Sequence, residues 1–578
     1  MEYHMTMWDA ARKSKNPGVY IALVCLSIVL GLLFMTPVSW AAPPPTPGDL
    51  EELNRRDRQQ AQERQNKEEQ SDVFLQSSTK ANVETSLPEE AVAFPIQRIQ
   101  VTGERQEHFQ WIQNMLKTYT GRQIGKEGIN IIIKRINQAL IDRGYITTRI
   151  MVPEQDLSKG TLRFVLVPGI IRHIAFAQPP KRGSWSSAFP ARPGDILNLR
   201  DLEQGLEQMK RVSSQDVEFK LLPGDKPGQS DIIIHITQRK PWKFLISADD
   251  SGSKETGRIQ SVQSIFLDNL FGANDILNIS NNHDADFEKG LHGTHGYSFK
   301  YSVPQGYWTY TVSHSYYTYH QTVAGANSNY VYSGDSDTTD FRVERLIERN
   351  QTSKTTLQAK MITKNSRSYL EDTEIEVQRK DTTAAELAVS HRRYYGKAVW
   401  NIELAHRMGT PWLGAQAETS SETTDIAPTR YHLWTLDSSF TKPFKIGDAD
   451  ARYTCNIRAQ FTNDTLYATD CFSIGNRYTV RGFDGEQTLS AEKGYFIQNE
   501  ISMPLAAGRE IYAGVDYGRV DGTSAGELLG KQLIGSVLGL RGTFKQVYYD
   551  VFIGCPIYKP AGYKTAPITS GFQMTCQI

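Results

Sequence analysis

The sequence predicts a mostly β protein: a transmembrane β-barrel of roughly sixteen strands, preceded by two α+β modules and a polar N-terminal helix. Three observations support this prediction. The chain opens with an export-type signal, two similar α+β patterns follow, and from Trp242 onward the residues alternate in segments of about ten. No later segment has an apolar run of membrane-spanning length, so any passage through a membrane would use strands.

Residues 1–41 have the pattern of a signal peptide. Three basic residues precede an apolar run over 19–35, and Ser39 and Ala41 supply the small side chains expected before a cleavage site. The alternative is a single transmembrane anchor, because the apolar run is nearly long enough to span a bilayer. The cleavage pattern and the proline-rich start of the next segment favour the signal peptide.

The segment 42–70 predicts a helix that is polar on every side. It is dense in Glu, Gln and Arg, and Leu50 and Leu53 provide most of its few apolar side chains. Such a helix is either disordered or surrounded by water, because it has no face to pack against a core. The following residues, 71–92, lack periodicity and are rich in Ser, Thr, Asn and Glu, which predicts a flexible linker.

Two α+β modules are predicted at 93–169 and 170–240. In the first, alternating strands enclose two helices, and the second of these helices has isoleucines and a leucine at helical spacing over 129–140. In the second, a strand, a helix with apolar residues over 199–209 and two further strands repeat the pattern. The repetition indicates tandem copies of one small domain.

The region 241–578 alternates with the period of a β-strand. In 453–461 the odd positions are Tyr, Cys, Ile, Ala and Phe, and the even positions are Thr, Asn, Arg and Gln. This pattern suits a half-buried soluble sheet or a barrel with a wet lumen. The length of the region after a signal peptide favours the barrel, and about 20 residues per strand and connection gives roughly sixteen strands.

Composition and motifs argue against several classes of function. The chain has 64 Lys and Arg and 64 Asp and Glu, and a nucleic-acid-binding protein would show a basic excess. Residues 526–531 are one position short of a phosphate-binding loop, 284–288 lack the glycine spacing of a calcium loop, and His314 and His320 have no neighbouring zinc ligands. We therefore predict no catalytic residue, no metal and no cofactor.

Eight motifs in order give the chain a resemblance to a known family. They are Tyr119-Thr120-Gly121-Arg122, Arg143-Gly144-Tyr145, Pro153-Glu154-Gln155-Asp156-Leu157, Val167-Pro168-Gly169, Leu197-Asn198-Leu199-Arg200-Asp201-Leu202-Glu203-Gln204, Pro241-Trp242, Asp249-Asp250-Ser251-Gly252 and Asp268-Asn269-Leu270-Phe271-Gly272. The ordered set resembles the outer-membrane transporters of two-partner secretion (TpsB proteins), in particular the haemolysin secretion/activation branch (ShlB, FhaC and HecB), which includes transporters of contact-dependent inhibition toxins.

The resemblance implies a protein of a Gram-negative outer membrane. Its helix 42–70 would plug the pore, its two modules would be polypeptide-transport-associated (POTRA) domains in the periplasm, and the barrel would contact outer-membrane lipid. Its partner would be one large secreted protein, a haemolysin, an adhesin or a contact-dependent inhibition toxin, which the POTRA domains would recognise in unfolded form. The alternative within the superfamily is an insertase that assembles other barrels, and an outer-membrane enzyme is a third possibility without a recognisable catalytic set.

The resemblance also assigns a site. Val480, Arg481, Gly482 and Phe483 would lie in the long sixth extracellular loop, folded back into the lumen. Arg481 would pair with Asp516 in a Gly-x-Asp pattern that begins at Gly514. The alternation of the surrounding strand puts Asp516 on its polar face, and Glu500 is a rival partner on another polar face.

Overall fold

The computed structural model describes residues 46–69, 72–75, 86–285, 292–325, 328–417 and 429–578. The predicted signal peptide, 1–41, lies outside these residues, as do 42–45 and 70 of the predicted polar helix and 71 and 76–85 of the predicted linker. Within the described ranges, no helix combines the length and the apolar character that crossing a membrane requires.

The N-terminal half contains the helices and eight short strands. The helices are α1 (Pro47–Glu69), α2 (Gln110–Leu116), α3 (Lys126–Asp142), α4 (Trp185–Ala188) and α5 (Leu199–Lys210). The strands are β1 (Ala93–Ile96), β2 (Arg98–Gly103), β3 (Arg122–Gly125), β4 (Arg149–Met151), β5 (Thr161–Val167), β6 (Ile170–Phe176), β7 (Gln215–Pro223) and β8 (Gln229–Gln238).

The C-terminal half consists of strands. They are β9 (Trp242–Asp249), β10 (Gln260–Asp268), β11 (Ile276–Asp284), β12 (His292–Gln305), β13 (Trp308–Ala324), β14 (Asn329–Arg349), β15 (Ser353–Leu370), β16 (Thr373–Glu374), β17 (Lys380–Tyr395), β18 (Ala398–Thr410), β19 (His432–Ile446), β20 (Ala449–Phe461), β21 (Phe472–Ile474), β22 (Leu489–Ala491), β23 (Lys493–Leu505), β24 (Arg509–Asp521), β25 (Gln532–Phe544), β26 (Val547–Tyr558) and β27 (Thr569–Gln577).

The two modules share one sheet topology. In the first, β5 lies between parallel β2 and antiparallel β4, and in the second, β8 lies between parallel β6 and antiparallel β7. The helices α3 and α5 bury their apolar faces against these sheets, through Ile132 and Ile136 in α3 and Leu202 in α5. The β1–β3 pair is an addition that periodicity did not predict, because four-residue strands are too short to show an alternation.

The barrel is closed by pairing of its first strand, β9, with its last, β27. Seventeen segments take part. Since β16 is only a two-residue segment paired antiparallel with the end of β15, sixteen full strands form the wall. This confirms the predicted barrel. In β24, Tyr512, Asp516 and Gly518 are buried toward the interior, whereas Ile511 and Val515 are exposed on the outside.

The connections at the two ends of the barrel differ in length. Turns on the side of the two modules are tight, as between β17 and β18 or between β19 and β20. On the opposite side a long connection, 462–492, joins β20 to β23 and contains the paired strands β21 and β22. Outer-membrane barrels have short periplasmic turns and long outer loops, so the modules lie on the periplasmic side.

Candidate functional site

The connection between β20 and β23 carries the segment 480–483, which we call the arginine loop, into the barrel. A small apolar core fixes it there, and its buried members include Phe472, Ile474, Val480, Phe483, Leu489, Phe496, Val520, Leu533 and Tyr563. The Phe483 ring meets the Tyr563 ring edge-on, with centroids 5.8 Å apart. Because strands of the wall contribute to this core, the loop is packed as an interior element.

Arg481 binds two carboxylates on adjacent strands of the wall. Its Nε and Nη2 donate to the two oxygens of Asp516 at 2.8 and 2.9 Å, and its own backbone N–H donates to Asp516 Oδ2 at 2.9 Å. Its Nη1 donates to Glu500 Oε2 at 2.6 Å. Asp516 is completely buried, and a forked guanidinium–carboxylate pair of this kind is both directional and strong.

The charges continue along the wall beyond Arg481. Arg541 on β25 approaches Glu500 at 2.9 Å and Glu510 at 3.1 Å. Glu500 is therefore shared between two arginines, whereas Asp516 has Arg481 as its ion-pair partner. Loss of Arg481 should therefore leave Asp516 without an ion-pair partner, whereas Glu500 would keep Arg541.

Glycines on the wall let the loop backbone come close. A Cβ at 535 would lie 1.9 Å from the Arg481 carbonyl oxygen, and one at 554 would lie 2.8 Å from the Gly482 Cα. Gly482 itself has a φ of +100°, and a Cβ there would meet the Cys555 carbonyl oxygen at 2.6 Å. The loop and the wall thus meet backbone to backbone, which side chains at these positions would prevent.

The structure brings all six residues of the predicted site together. Gly514 lies beside the Arg481 guanidinium, and Val480 packs against Gly518. Asp516 and its rival Glu500 both bind Arg481, because the register sets Glu500 opposite Gly514, next to Asp516 on the same face. Sequence reasoning missed Gly535 and Gly554, for which glycines at lumen-facing strand positions were the available signal.

Replacing Gly535 by valine is expected to push the arginine loop off the wall, because the new side chain would collide with the Arg481 carbonyl. Protease cleavage of the loop in purified protein is the readout. Gly526→Ala is the matched control, since no atom lies within 4 Å of a Cβ built there. Equal cleavage of the two variants would show that the close approach does not hold the loop.

The helix α1 lies inside the barrel and is held by polar contacts. Its carboxylates meet the wall in ion pairs and hydrogen bonds: Asp49 with Lys380 at 2.5 Å, Glu52 with Lys364 at 2.8 Å, and Glu51 with Tyr317 Oη at 2.5 Å and Thr256 Oγ1 at 2.7 Å. Leu53 is its one fully buried apolar side chain. The predicted polarity of the helix thus has a physical reason: its surroundings are the polar lumen wall.

The same helix also contacts the connection that carries the arginine loop. Asp57 accepts from Ser473 Oγ at 2.6 Å and from Asn476 Nδ2 at 2.9 Å. Arg56 donates to the Thr469 carbonyl at 2.9 Å. Since Asn476 begins the turn that leads to Arg481, α1 and the arginine loop support each other.

No cluster of three or more potential metal ligands occurs among the residues that the structure describes. The chemistry available at the site is ionic contact and hydrogen bonding along a polar passage.

Sequence comparison matches the chain to three families. Residues 228–542 match the haemolysin secretion/activation protein family ShlB/FhaC/HecB. Residues 94–169 match the ShlB-type POTRA domain, and 170–223 match a further POTRA domain.

Individual relatives and a solved structure agree with this assignment. The chain is 42% identical over 477 residues, 82% of each chain, to the outer membrane transporter CdiB-2 of Burkholderia pseudomallei (strain 1026b). It is 30% identical over 461 residues, 79% of this chain and 81% of the relative, to the outer membrane transporter CdiB of Dickeya dadantii (strain 3937). CdiB from Acinetobacter baumannii superposes with a TM-score of 0.84 at 28% identity, covering 93% of this chain and all of that one. The chain therefore belongs to the haemolysin secretion/activation (ShlB/FhaC/HecB) family of outer-membrane two-partner secretion transporters, with its POTRA domains in the periplasm.

Proposed function

We propose that this transporter captures a large secreted partner in unfolded form on its POTRA domains and passes it outward through the barrel as α1 leaves the lumen. One observation carries the proposal: the lumen of a closed barrel is occupied by a helix whose contacts are almost all polar and exchangeable with water. In this proposal the protein is a conduit, and it makes or breaks no covalent bond.

The POTRA domains offer two kinds of surface for an unfolded chain. The strand β7 pairs with β8 on one side and is the edge of its sheet, and Leu222 on it is exposed. An edge strand can accept an added strand through main-chain hydrogen bonds, which require no particular client sequence. The first domain adds an apolar groove lined by Phe94, Ile129 and Val152, among others.

The arginine loop acts in this proposal as a latch, formed by 480–483 with Gly514 and Asp516. Its ionic contacts hold the long connection against the wall while α1 is in place. Because α1 contacts the same connection through Asp57, departure of the helix would remove support from the latch. Widening of the lumen would follow from the loss of the helix and loosening of the loop.

A photocrosslinking amino acid at Lys220 on β7 is expected to form adducts with the secreted partner during export. The partner should be encoded beside this gene as a very long secreted protein. The same probe at Glu107, which is exposed and belongs to the other POTRA domain, is the control. Adducts of equal yield at both positions would contradict capture at the edge.

Depletion of the transporter separates export from the insertase alternative. Export predicts that one secreted protein disappears from the medium while the levels of other outer-membrane barrels stay unchanged. A general fall in barrel proteins would instead identify an insertase.

A further inference from the structure

The short segment 72–75 lies between α5 of the second POTRA domain and the periplasmic ends of three barrel strands. Val73 and Leu75 pack against the core of that domain. Phe74 points the other way, and its ring meets that of Tyr394 at a centroid distance of 5.1 Å. The segment thus has the alternation of an extended strand, although it belongs to none of the strands described above.

Side chains of α5 and the barrel bind the main chain of this segment. The Val73 N–H donates to Glu207 at 3.3 Å, the Leu75 N–H donates to Glu203 at 2.7 Å, and Arg349 donates to the Val73 carbonyl. Residues four apart on a helix are about 6 Å apart along its axis. Alternate amides of an extended chain are about 6.6 Å apart. The two carboxylates therefore match the repeat of an extended peptide of any sequence.

Two side chains of the segment enter specific surroundings. Asp72, whose side chain is 3% exposed, contacts Lys354, Arg392 and the Tyr394 hydroxyl. Burial alone would raise the pKa of Asp72, but the charges of Lys354 and Arg392 outweigh it and hold that pKa below its usual range. The Arg349 guanidinium lies 5.3 Å from the centre of the Phe74 ring. These contacts select an acidic residue two positions before an aromatic one.

The side chains of α5 and of the barrel that contact 72–75 form a groove around this segment. Ion pairs connect the two walls of this groove. Arg349 lies 3.0 Å from Glu207 and 3.3 Å from Glu203, and Lys354 lies 2.7 Å from Glu207. The side chains of Arg349 and Glu203 are almost completely buried. Such a network orders the carboxylates before a peptide arrives, and pre-ordering lowers the entropic cost of binding.

We propose that this groove is a peptide-binding site for an extended segment with an acidic residue two positions before an aromatic residue, and that 72–75 occupies it until a segment of the client takes their place. The inference rests on the proposed export function, which supplies the unfolded client. Two residues separate Glu69, at the end of α1, from Asp72. Displacement of 72–75 therefore frees the chain immediately behind the lumen helix.

A labelled peptide with the sequence of residues 70–77 tests the site in the full-length protein, in lipid nanodiscs. The double variant Asp72→Asn/Phe74→Ala weakens the internal occupant. It is expected to bind the peptide at least about tenfold more tightly than the wild type, a difference of about 1.4 kcal/mol. A peptide carrying the same two substitutions should bind the double variant at least about tenfold more weakly, because it lacks the carboxylate and the ring.

Matched variants separate a site from a general effect. The protein variant Glu104→Gln/Phe271→Ala removes an exposed acid and an exposed phenylalanine elsewhere and should bind the peptide as the wild type does. Adding Arg392→Ala to the first double variant should abolish binding. If the double variant binds both peptides equally, or neither, the groove is not a peptide site. Neither result bears on export, which the secretion and crosslinking experiments test separately.

Discussion

Replacing Arg481 by alanine is expected to release the arginine loop and to abolish most secretion of the partner protein. The substitution leaves Asp516 fully buried without its cation and removes one of the two arginines at Glu500. Leaving a buried charge without its partner costs about 3–5 kcal/mol. The loop can avoid this cost by leaving the wall, so secretion into the medium and protease cleavage of the loop on intact cells are the measurements.

Substitutions of the two carboxylates should differ in how strongly they reduce secretion. Asp516→Asn neutralises a carboxylate that accepts from three Arg481 N–H groups, one of them main-chain, and replaces one of its oxygens by an NH2 donor, whereas Glu500→Gln does the same to a carboxylate that accepts from one. We therefore expect Asp516→Asn to reduce secretion more than Glu500→Gln. Arg481→Lys should lie between wild type and alanine, because an ammonium keeps the charge but lacks the fork that reaches both strands.

Arg509→Ala is the control, since Arg509 is exposed at the periplasmic end of β24, where that strand begins. Folded barrel in the outer membrane, assayed by its heat-modifiable migration, must be equal in all variants. Wild-type secretion by Arg481→Ala at equal barrel levels would contradict the latch.

Exchanging the charges of Arg481 and Asp516 is expected to restore little secretion. In Arg481→Asp with Asp516→Arg, the new pair has the correct signs. However, Glu500 loses the Arg481 Nη1 donor that now lies 2.6 Å from it, and the loop carries a like charge on that side in its place. Adding Glu500→Gln to the exchange removes this repulsion and should increase rescue. If rescue is complete without Glu500→Gln, then Glu500 does not contribute to the contact.

The sequence reveals which face of a strand a residue occupies, but not which residues are opposite each other. Alternation alone places Asp516 and Glu500 on the lumen side, because side chains change faces at every residue. Their nearness depends on the register that pairs Glu500 with Gly514, and register follows from the hydrogen bonding of neighbouring strands. Two carboxylates that the sequence presents as rivals are therefore joint ligands of one arginine.

The N-terminal segments show a second kind of limit. The all-round polarity of α1 is visible in its composition, and it predicts a wet environment. Its contacts with Lys364, Lys380 and Ser473 join residues hundreds of positions apart, and no local pattern encodes them. Residues 72–75, predicted as linker, are held by side chains of a helix and of the wall, and four residues are too few to reveal such a role.

Deleting α1, residues 47–69, is expected to increase the conductance of the barrel in planar bilayers severalfold. The helix has 23 residues and so a length of about 34 Å, comparable to the roughly 30 Å hydrocarbon thickness of a bilayer. A helix of this length within the lumen occupies the passage along most of its depth. Unchanged conductance after the deletion would show that α1 does not obstruct the pore.

The contacts of α1 predict how it is retained. Asp49→Asn/Glu52→Gln removes its ion pairs with Lys380 and Lys364 while preserving side-chain size. Partly exposed ion pairs contribute about 0.2–1 kcal/mol each, so losing both should shift the closed-to-open ratio by about twofold to about thirtyfold. Gln59→Ala/Gln62→Ala, on the exposed side of the helix, is the control and should leave the ratio unchanged.

Salt provides an independent test of the same retention. Screening shortens the range of charge interactions from about 10 Å at 0.1 M to about 3 Å at 1 M ionic strength. The wild-type open fraction should therefore rise with salt, whereas that of Asp49→Asn/Glu52→Gln should rise less, because its ionic contacts are already lost. For a plug held by apolar contacts, the open fraction would not rise with salt, since burial of apolar surface does not weaken in salt. Only one leucine of α1 is buried, whereas two of its carboxylates form ion pairs with lysines of the wall, and both facts favour ionic retention. An open fraction that does not change with salt would exclude ionic retention.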